Sequence, residues 1–380
     1  MLNPYFSEEH EMLREQVRRF VENEIVPRGD TCEAQGYTPR ELLQKMGELG
    51  FLGITHEEEF GGSGRDVRAA VVLAEELARS TFAGITITIL VHTNMASPHL
   101  ALAGNEEQKR KYLPDVISGK LITGVCVTEA TAGSDVAGIR ARAVRDGGDW
   151  VINGSKMFIT NGVHGDLFFV AAKTDPQAKG SRGISMFIVE KGTAGFSVGR
   201  SLKKHGWRSS DTAELFFDNV RIPASQLLGE ENKGFYAVMR NFQHERITLA
   251  AMAAGEAQKA LDITLEHVRA RRAFGGTLFD NAVVRDRLAR AQTKVSLARN
   301  YVHYVAWLDS QGTECIKEVS MLKAYAADIA NEVMYDCVQL HGGMGFMADS
   351  PIERMYRDAR VLSIGGGASE VMYAEVAKRL

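Results

Sequence analysis

The sequence predicts an α+β chain in three parts, helical, then β, then helical again. Apolar residues recur at helical period up to about residue 120. Between about 121 and 228, short β-branched and aromatic runs alternate with Gly, Asp and Asn turns. From Gly234 onward long helical patterns return with little turn punctuation, which points to an antiparallel bundle. The domains are drawn at 1–120, 121–230 and 231–380, a division that 380 residues can support.

Ser7 can cap a first helix that opens with Glu8 and Glu9, and Pro27 marks its end. In "TPRELLQKMGELG", Thr38 suits an N-cap, Pro39 the first helical position and Glu41 the far corner of a capping box, with Gly47 or Gly50 as the stop. "VRAAVVLAEELARS" and "EEQKRKYLPDVIS" continue the helical spacing. "LITGVCVT", "DWVING", "LFFVAAKT", "ISMFIVEK" and "AELFFDNVRI" are the strands of the middle part. The small residues Ala250, Ala251, Ala253, Ala254 and Gly255 let a C-terminal helix pack closely against its neighbours.

A net charge of −3 leaves no basic surplus for nucleic acid or an anionic membrane. Cys32, Cys126, Cys315 and Cys337 show no CxxC spacing, so neither a disulfide framework nor a thiolate zinc site is expected, and no histidine pair has metal-ligand spacing. The N-terminal residues lack a signal-like apolar core, and the apolar run "GITITILV" is far too short to span a bilayer. A cytoplasmic protein is expected, or a mitochondrial matrix protein without its leader.

Two stretches carry chemistry. "GVCVTEATAGSDVAG", 124–138, passes from a strand into a Gly/Ser/Thr turn whose N–H groups and hydroxyls can converge on an anionic or carbonyl-rich ligand, although ordinary turns favour the same residues. "QLHGGMGFMADSPIERMYRDARVLSIGGG", 339–367, sets two glycine runs among charged residues in a helical domain. The basic stretch "GRSLKKHGWRSS", 199–210, suits CoA phosphates or, more simply, a solvated hairpin rim.

"CVTEATAGSDVAG" and "QLHGGMGFMADSPIERMYRD" resemble signature stretches of the acyl-CoA dehydrogenases, and "KMFITNG", "WRSSDTAELFFDNVRIP" and "RRAFG" resemble further segments of that family. The resemblance covers nearly the whole chain. It implies a helical N-terminal domain, a β-barrel middle domain and a C-terminal four-helix bundle. It also implies FAD as cofactor, an acyl-CoA substrate, an electron-transferring flavoprotein as acceptor and a homotetramer. The implied reaction removes an α-proton from the thioester while the β-hydrogen leaves as hydride, so the protein must supply a base, donors for the carbonyl oxygen and a dry slot.

Most members of the family carry the base in a Tyr-Glu-Gly segment, whose place here is taken by "IGGGASE", with Gly366 at the position of the glutamate. In the isovaleryl and long-chain branches the carboxylate comes from an earlier helix, in a Glu-Arg pair. "QHERITLA" sets Glu245 and Arg246 there. Without the gap at 366, such a pair at a helix start would be taken for a solvated surface pair. With it, Glu245 is the expected base, Gly366 offers its N–H to the thioester oxygen, and Arg246 and Gly367 line the substrate.

By the same resemblance Val127, Thr128 and Ser134 lie against the flavin or its phosphates, with Ser134 also near the substrate, and Phe158, Ile159 and Thr160 flank the flavin ring. Arg271 reaches the FAD pyrophosphate of a neighbouring subunit, and Gln339, Leu340, His341, Gly342 and Gly343 cover its adenosine part. Ala368, Ser369 and Glu370 close over the cofactor, although Ser369 and Glu370 equally suit a helix N-terminus. Three departures stand out: Phe158 replaces a common Trp, Ala130 a common Pro and Ala282 a cofactor-contacting Gln. An acyl-CoA oxidase, an eliminating flavin relative and a non-catalytic flavin- or CoA-binding scaffold are the alternatives.

Overall fold

The computed structural model describes residues 3–380, apart from the side chains of Tyr236, Ala237, Val238 and Arg240. The N-terminal part holds α1 (Glu8–Phe20), α2 (Gly29–Gln35), α3 (Arg40–Glu48), α4 (Val67–Ala78), α5 (Ala83–Leu90), α6 (Ser97–Ala103) and α7 (Glu106–Ile117). Ser7 precedes α1 and its N–H donates to His10 Nδ1 at 3.2 Å, as a cap should. Two expectations are corrected. Pro27 sits inside a helical turn, Val26–Arg28, that leads on into α2, because a first-turn position does not need the missing N–H. Thr38 does not cap α3: Pro39 holds the cap position, and the Thr38 hydroxyl donates to Ser209 O at 2.9 Å.

Helix α5 is buried on every side and α4 everywhere but Arg68, which makes them the floor on which the rest is built. The middle part is one sheet of β1 (Thr123–Cys126), β2 (Arg142–Asp146), β3 (Asp149–Thr160), β4 (Leu167–Lys173), β5 (Ile184–Glu190), β6 (Phe196–Ser201), β7 (Thr212–Pro223) and β8 (Leu227–Leu228). Its path runs β6-β7-β3-β2-β4-β5-β8, with β1 parallel to β4, and among the described residues no ladder joins β6 to β8. The strands curl round an aromatic core of Trp150, Phe168, Phe187 and Phe217. Alternate residues of β4, Leu167, Phe169 and Ala171, turn the other way and pack with Leu100, Leu113 and Val116 of α6 and α7. β2 and β6, with exposed charged residues, went unread in the sequence because they lack a buried run.

The C-terminal part comprises α8 (Gly234–Ala270), the hairpin β9 (Arg272–Ala273) and β10 (Gly276–Thr277), α9 (Ala282–Ser310), α10 (Ile316–His341), α11 (Pro351–Ala359) and α12 (Ser369–Ala377). Helices α8, α9 and α10 pack mutually, α12 lies on α10, and α4 packs on α8 and α9. The small-residue stripe serves this approach: a Cβ on Gly255 would stand 2.7 Å from Glu75 O of α4. Helix α8 begins earlier than its alanine-rich stretch suggested, so Glu245 lies well inside it rather than at its start.

Candidate active site

Glu245 and the glycine run Gly365–Gly367 meet where α8 passes the turn into α12. Gly366 and Gly367 have φ of +63° and +100°, conformations that favour glycine. A Cβ on Gly366 would fall 2.2 Å from Leu249 Cδ1 and 3.5 Å from Glu245 Oε1. Leu249 therefore occupies the space that a side chain at 366 would need, and the Glu245 carboxylate lies against its edge. Glu245 is 9 % exposed. Burial pushes its carboxyl up to about 7, against the opposing pull of Arg246 and of Lys323 on α10.

Arg246 is buried, with its guanidinium 5.5 Å from the Phe242 ring centre and its Nε without a hydrogen-bond partner among the described residues. That Nε stands 3.7 Å from where a Cβ on Gly367 would be. Its neighbour His244 faces away and pairs with Asp309 at 2.9 Å, so consecutive residues of one helix serve different faces. Four of the sequence-predicted residues, Glu245, Arg246, Gly366 and Gly367, are thus gathered at one point.

A second constellation lies on the sheet. The register of β3 against β7 shifts between Lys156 and Ile159, and this irregularity throws Phe158 outward at φ +61° and 65 % exposed. Thr128 O accepts from Met157 N at 2.9 Å, which ties the 127–134 loop to β3. Beneath it, the fully buried Lys156 donates to Val127 O at 3.0 Å and to Glu129 at 2.8 Å. Glu129 also accepts from the N–H groups of Arg140 and Ala141, at 2.6 and 3.0 Å. Glu129 and Lys156 lie within the two quoted motifs but had no role assigned; a charged residue at an inward strand position was the available signal. Ser134 is exposed and Thr128 and Thr160 half-buried, but Val127 and Ile159 turn their side chains into the cores. Those two leave only main chain for a bound group.

Ala368, Ser369 and Glu370 line a cleft of about 1060 Å³ with Asp328, Tyr373 and His205. Ser369 and Glu370 are the first residues of α12, and the Ser369 hydroxyl donates to Asp328 at 2.8 Å. The basic 199–210 stretch is not a solvated rim throughout. Arg200, Lys203, His205 and Arg208 are exposed, but Lys204 donates to Ser210 O, Ser210 Oγ and Thr212 Oγ1 at 2.8, 2.6 and 2.9 Å, and burial pushes its ammonium down to about 8. Trp207 N also donates to Asp358 of α11 at 2.7 Å, docking the stretch on the C-terminal part.

Arg271 and Gln339–Gly343 lie elsewhere. They occupy the shared far end of α8 and α10, where His267 and His341 stack at 4.1 Å. From Glu245 to the end of α8 at Ala270 is roughly 37 Å at 1.5 Å per residue. The structure does not bring these residues to the Glu245 end of the same chain.

Three family models account for most of the chain: acyl-CoA dehydrogenase N-terminal domain over residues 7–120, middle domain over 124–220 and C-terminal domain over 232–380. The chain belongs to the acyl-CoA dehydrogenase family. It is 42% identical to the mitochondrial long-chain specific acyl-CoA dehydrogenase of Sus scrofa, over 99% of this chain and 87% of that protein. The crystal structure of an acyl-CoA dehydrogenase from Geobacillus kaustophilus superposes with a TM-score of 0.95 at 42% identity, covering 99% of each chain. PigA, solved with FAD and proline, superposes with a TM-score of 0.95 at 27% identity over 98% of each chain.

An acyl-CoA dehydrogenase is a flavoprotein oxidoreductase, and FAD is its cofactor. The residues here fit that group. The bulge offers an open aromatic face at Phe158, the half-buried Thr128 and Thr160 and the exposed Ser134 offer hydroxyls, and the cleft at Ala368–Glu370 lies at the first turn of a helix, where N–H groups suit phosphate. Among the described residues no three potential metal-ligating side chains form a cluster, and no helix is long and apolar enough to cross a membrane.

Proposed function

We propose that the protein is an α,β-dehydrogenase of acyl-CoA thioesters in which Glu245 is the catalytic base. The reading rests on one observation: Glu245 Oε1 lies 3.5 Å from where a Cβ on Gly366 would stand. Bound FAD supplies the acceptor for the hydride that leaves the β-carbon. The chain's own part is to take the α-proton onto Glu245, donate the Gly366 N–H to the thioester oxygen as negative charge develops there, and exclude water from both. The substrate thus loses one proton from the α-carbon to Glu245 and one hydride, with its two electrons, from the β-carbon, and a trans-2-enoyl-CoA remains.

Thr128, Ser134, Phe158 and Thr160, with the main chain of Val127 and Ile159, hold the flavin end of FAD, and Ala368, Ser369 and Glu370 close over it. Arg246, Ser134 and Gly367 line the substrate. Arg271 and Gln339–Gly343 serve the FAD of a second copy in a homotetramer, a reading favoured by their distance along α8 from Glu245 and by the exposure of Phe274, Met344 and Phe346 at that end. A base on a helix, together with the long-chain relative, favours branched or longer acyl groups. Electrons pass to an electron-transferring flavoprotein, the domains divide near residues 120 and 230, and the protein works in the cytoplasm.

The test is an anaerobic titration of FAD-loaded protein with acyl-CoA. Wild type bleaches. Glu245→Gln is expected to keep FAD and bind acyl-CoA while flavin reduction slows at least about 100-fold, the usual cost of losing a general base. An equally fast variant would assign the base elsewhere.

A further inference from the structure

The turn that presents Gly366 consists of three glycines in sequence, which lose more backbone freedom on ordering than any other residues. No side chain in that run can hold it. What holds it reaches across from α10. Lys323 is 1 % exposed, and its ammonium donates to Leu362 O at 2.7 Å and to Gly367 O, the carbonyls on either side of Gly365 and Gly366. The same ammonium faces Glu245 from the opposite helix.

We propose that Lys323 is a positioning residue of the reaction site, which pins the glycine turn so that the Gly366 N–H stays aimed and which sets its charge opposite the Glu245 carboxylate. This rests on the reading of Glu245 and Gly366 given above. An ordinary structural lysine would close the carbonyls of a helix end and do no more. Two features argue for more: both acceptors bracket the residue opposite the base, and burial pushes the ammonium down to about 8, a cost that a surface cap would not carry. The charged groups facing Lys323 are Glu245 and Arg246 on α8, Asp328 on α10 and Glu370 on α12; those facing Glu245 are Arg246 and Lys323.

The test uses the FAD-loaded protein and a 3-thiaacyl-CoA, whose sulfur acidifies the α-proton and whose β-position offers no hydride, so that its long-wavelength absorbance reports proton removal without turnover. Lys323→Met should speed amide hydrogen exchange across 361–369 by about tenfold or more, and the pH at which the absorbance develops should rise by about half a unit or more. Adding Gly365→Ala should restore part of the protection. A Cβ there meets nothing nearer than Val361 O at 3.7 Å, and alanine removes freedom from the unfolded turn. Wild-type exchange in 361–369 with an unmoved onset pH would overturn the proposal.

If Lys323→Met does not fold, Lys323→Arg keeps the charge but not the compact ammonium, and the proposal then requires faster exchange in 361–369 with an unmoved onset; unchanged exchange refutes it. Glu245→Gln, run in parallel, separates the two readings. If it still develops the absorbance, the base is misassigned; if it does not, and Lys323→Met behaves as wild type, only the role of Lys323 fails.

Discussion

Glu245 shows how little of a residue's role its own neighbourhood in the sequence contains. His-Glu-Arg at the edge of an alanine-rich stretch reads as a solvated pair, and His244 does face outward to Asp309. What singles out Glu245 is the glycine run some 120 residues later, whose Gly366 lies beside the carboxylate in the fold, a Cβ there standing 3.5 Å from Glu245 Oε1. A pH dependence follows. Burial leaves the Glu245 carboxyl at about 7, and a base acts only when ionised, so single-turnover flavin reduction should rise about tenfold per unit below pH 7 and level off above it. A rate that is flat from pH 5 to 8, measured by anaerobic stopped flow, would mean that some other group accepts the proton. Lys323 was legible only in retrospect: it interrupts the buried stripe Val319, Leu322, Ala326 and Ala330 of α10, where a charge needs a reason.

Strands and helices with one clear period were read well, and those that serve another element were not. β4 and β5 declare themselves by continuous apolar runs, whereas β2 and β6 are mostly exposed or half-buried and are strands only because their neighbours supply a ladder. Thr38 looked like a cap because the local pattern is a cap's; its hydroxyl is instead engaged by Ser209 from the sheet part. The bulge in β3 that exposes Phe158 is equally invisible to periodicity, and the Lys156–Glu129 pair beside it joins positions with no shared pattern. Lys156→Met would leave Glu129 buried without its partner. Breaking a buried pair in this way costs about 3–5 kcal/mol, so thermal unfolding should fall sharply and FAD should dissociate more readily, both measurable by melting and by flavin release. A variant that holds FAD and melts as wild type would show that the loop does not depend on the pair.

For the whole molecule, a buried acid that serves no part of the proposed chemistry sets a stability limit. Glu256 is 2 % exposed, neither of its oxygens has a hydrogen-bond partner among the described residues, and burial together with nearby Asp358 holds its carboxyl well above the usual range. Asp358, on α11, is itself pushed up to about 7 by burial. The folded chain therefore keeps these protons at pH values where the unfolded chain has released them. Stability is lost as pH rises through the ordinary carboxylate range toward the raised values, and at low pH this loss vanishes. Glu256→Leu, which replaces the orphan carboxyl with a side chain of similar size, should raise the melting temperature, and by more at pH 8 than at pH 5. Equal gains at both would show that ionisation of Glu256 is not what limits the fold. The three-part architecture was legible because each part has its own hydrophobic period. How the parts dock was not, since contacts such as Trp207 N to Asp358 join positions with no shared pattern.

A structure of the FAD-loaded protein with a 3-thiaacyl-CoA bound tests the position of the Glu245 carboxylate most directly. A Glu245 oxygen within about 3 Å of the substrate α-carbon, with the Gly366 N–H on the thioester oxygen, is the arrangement predicted. A Glu245 side chain turned away toward α9 or solvent, with another group at that carbon, would contradict it.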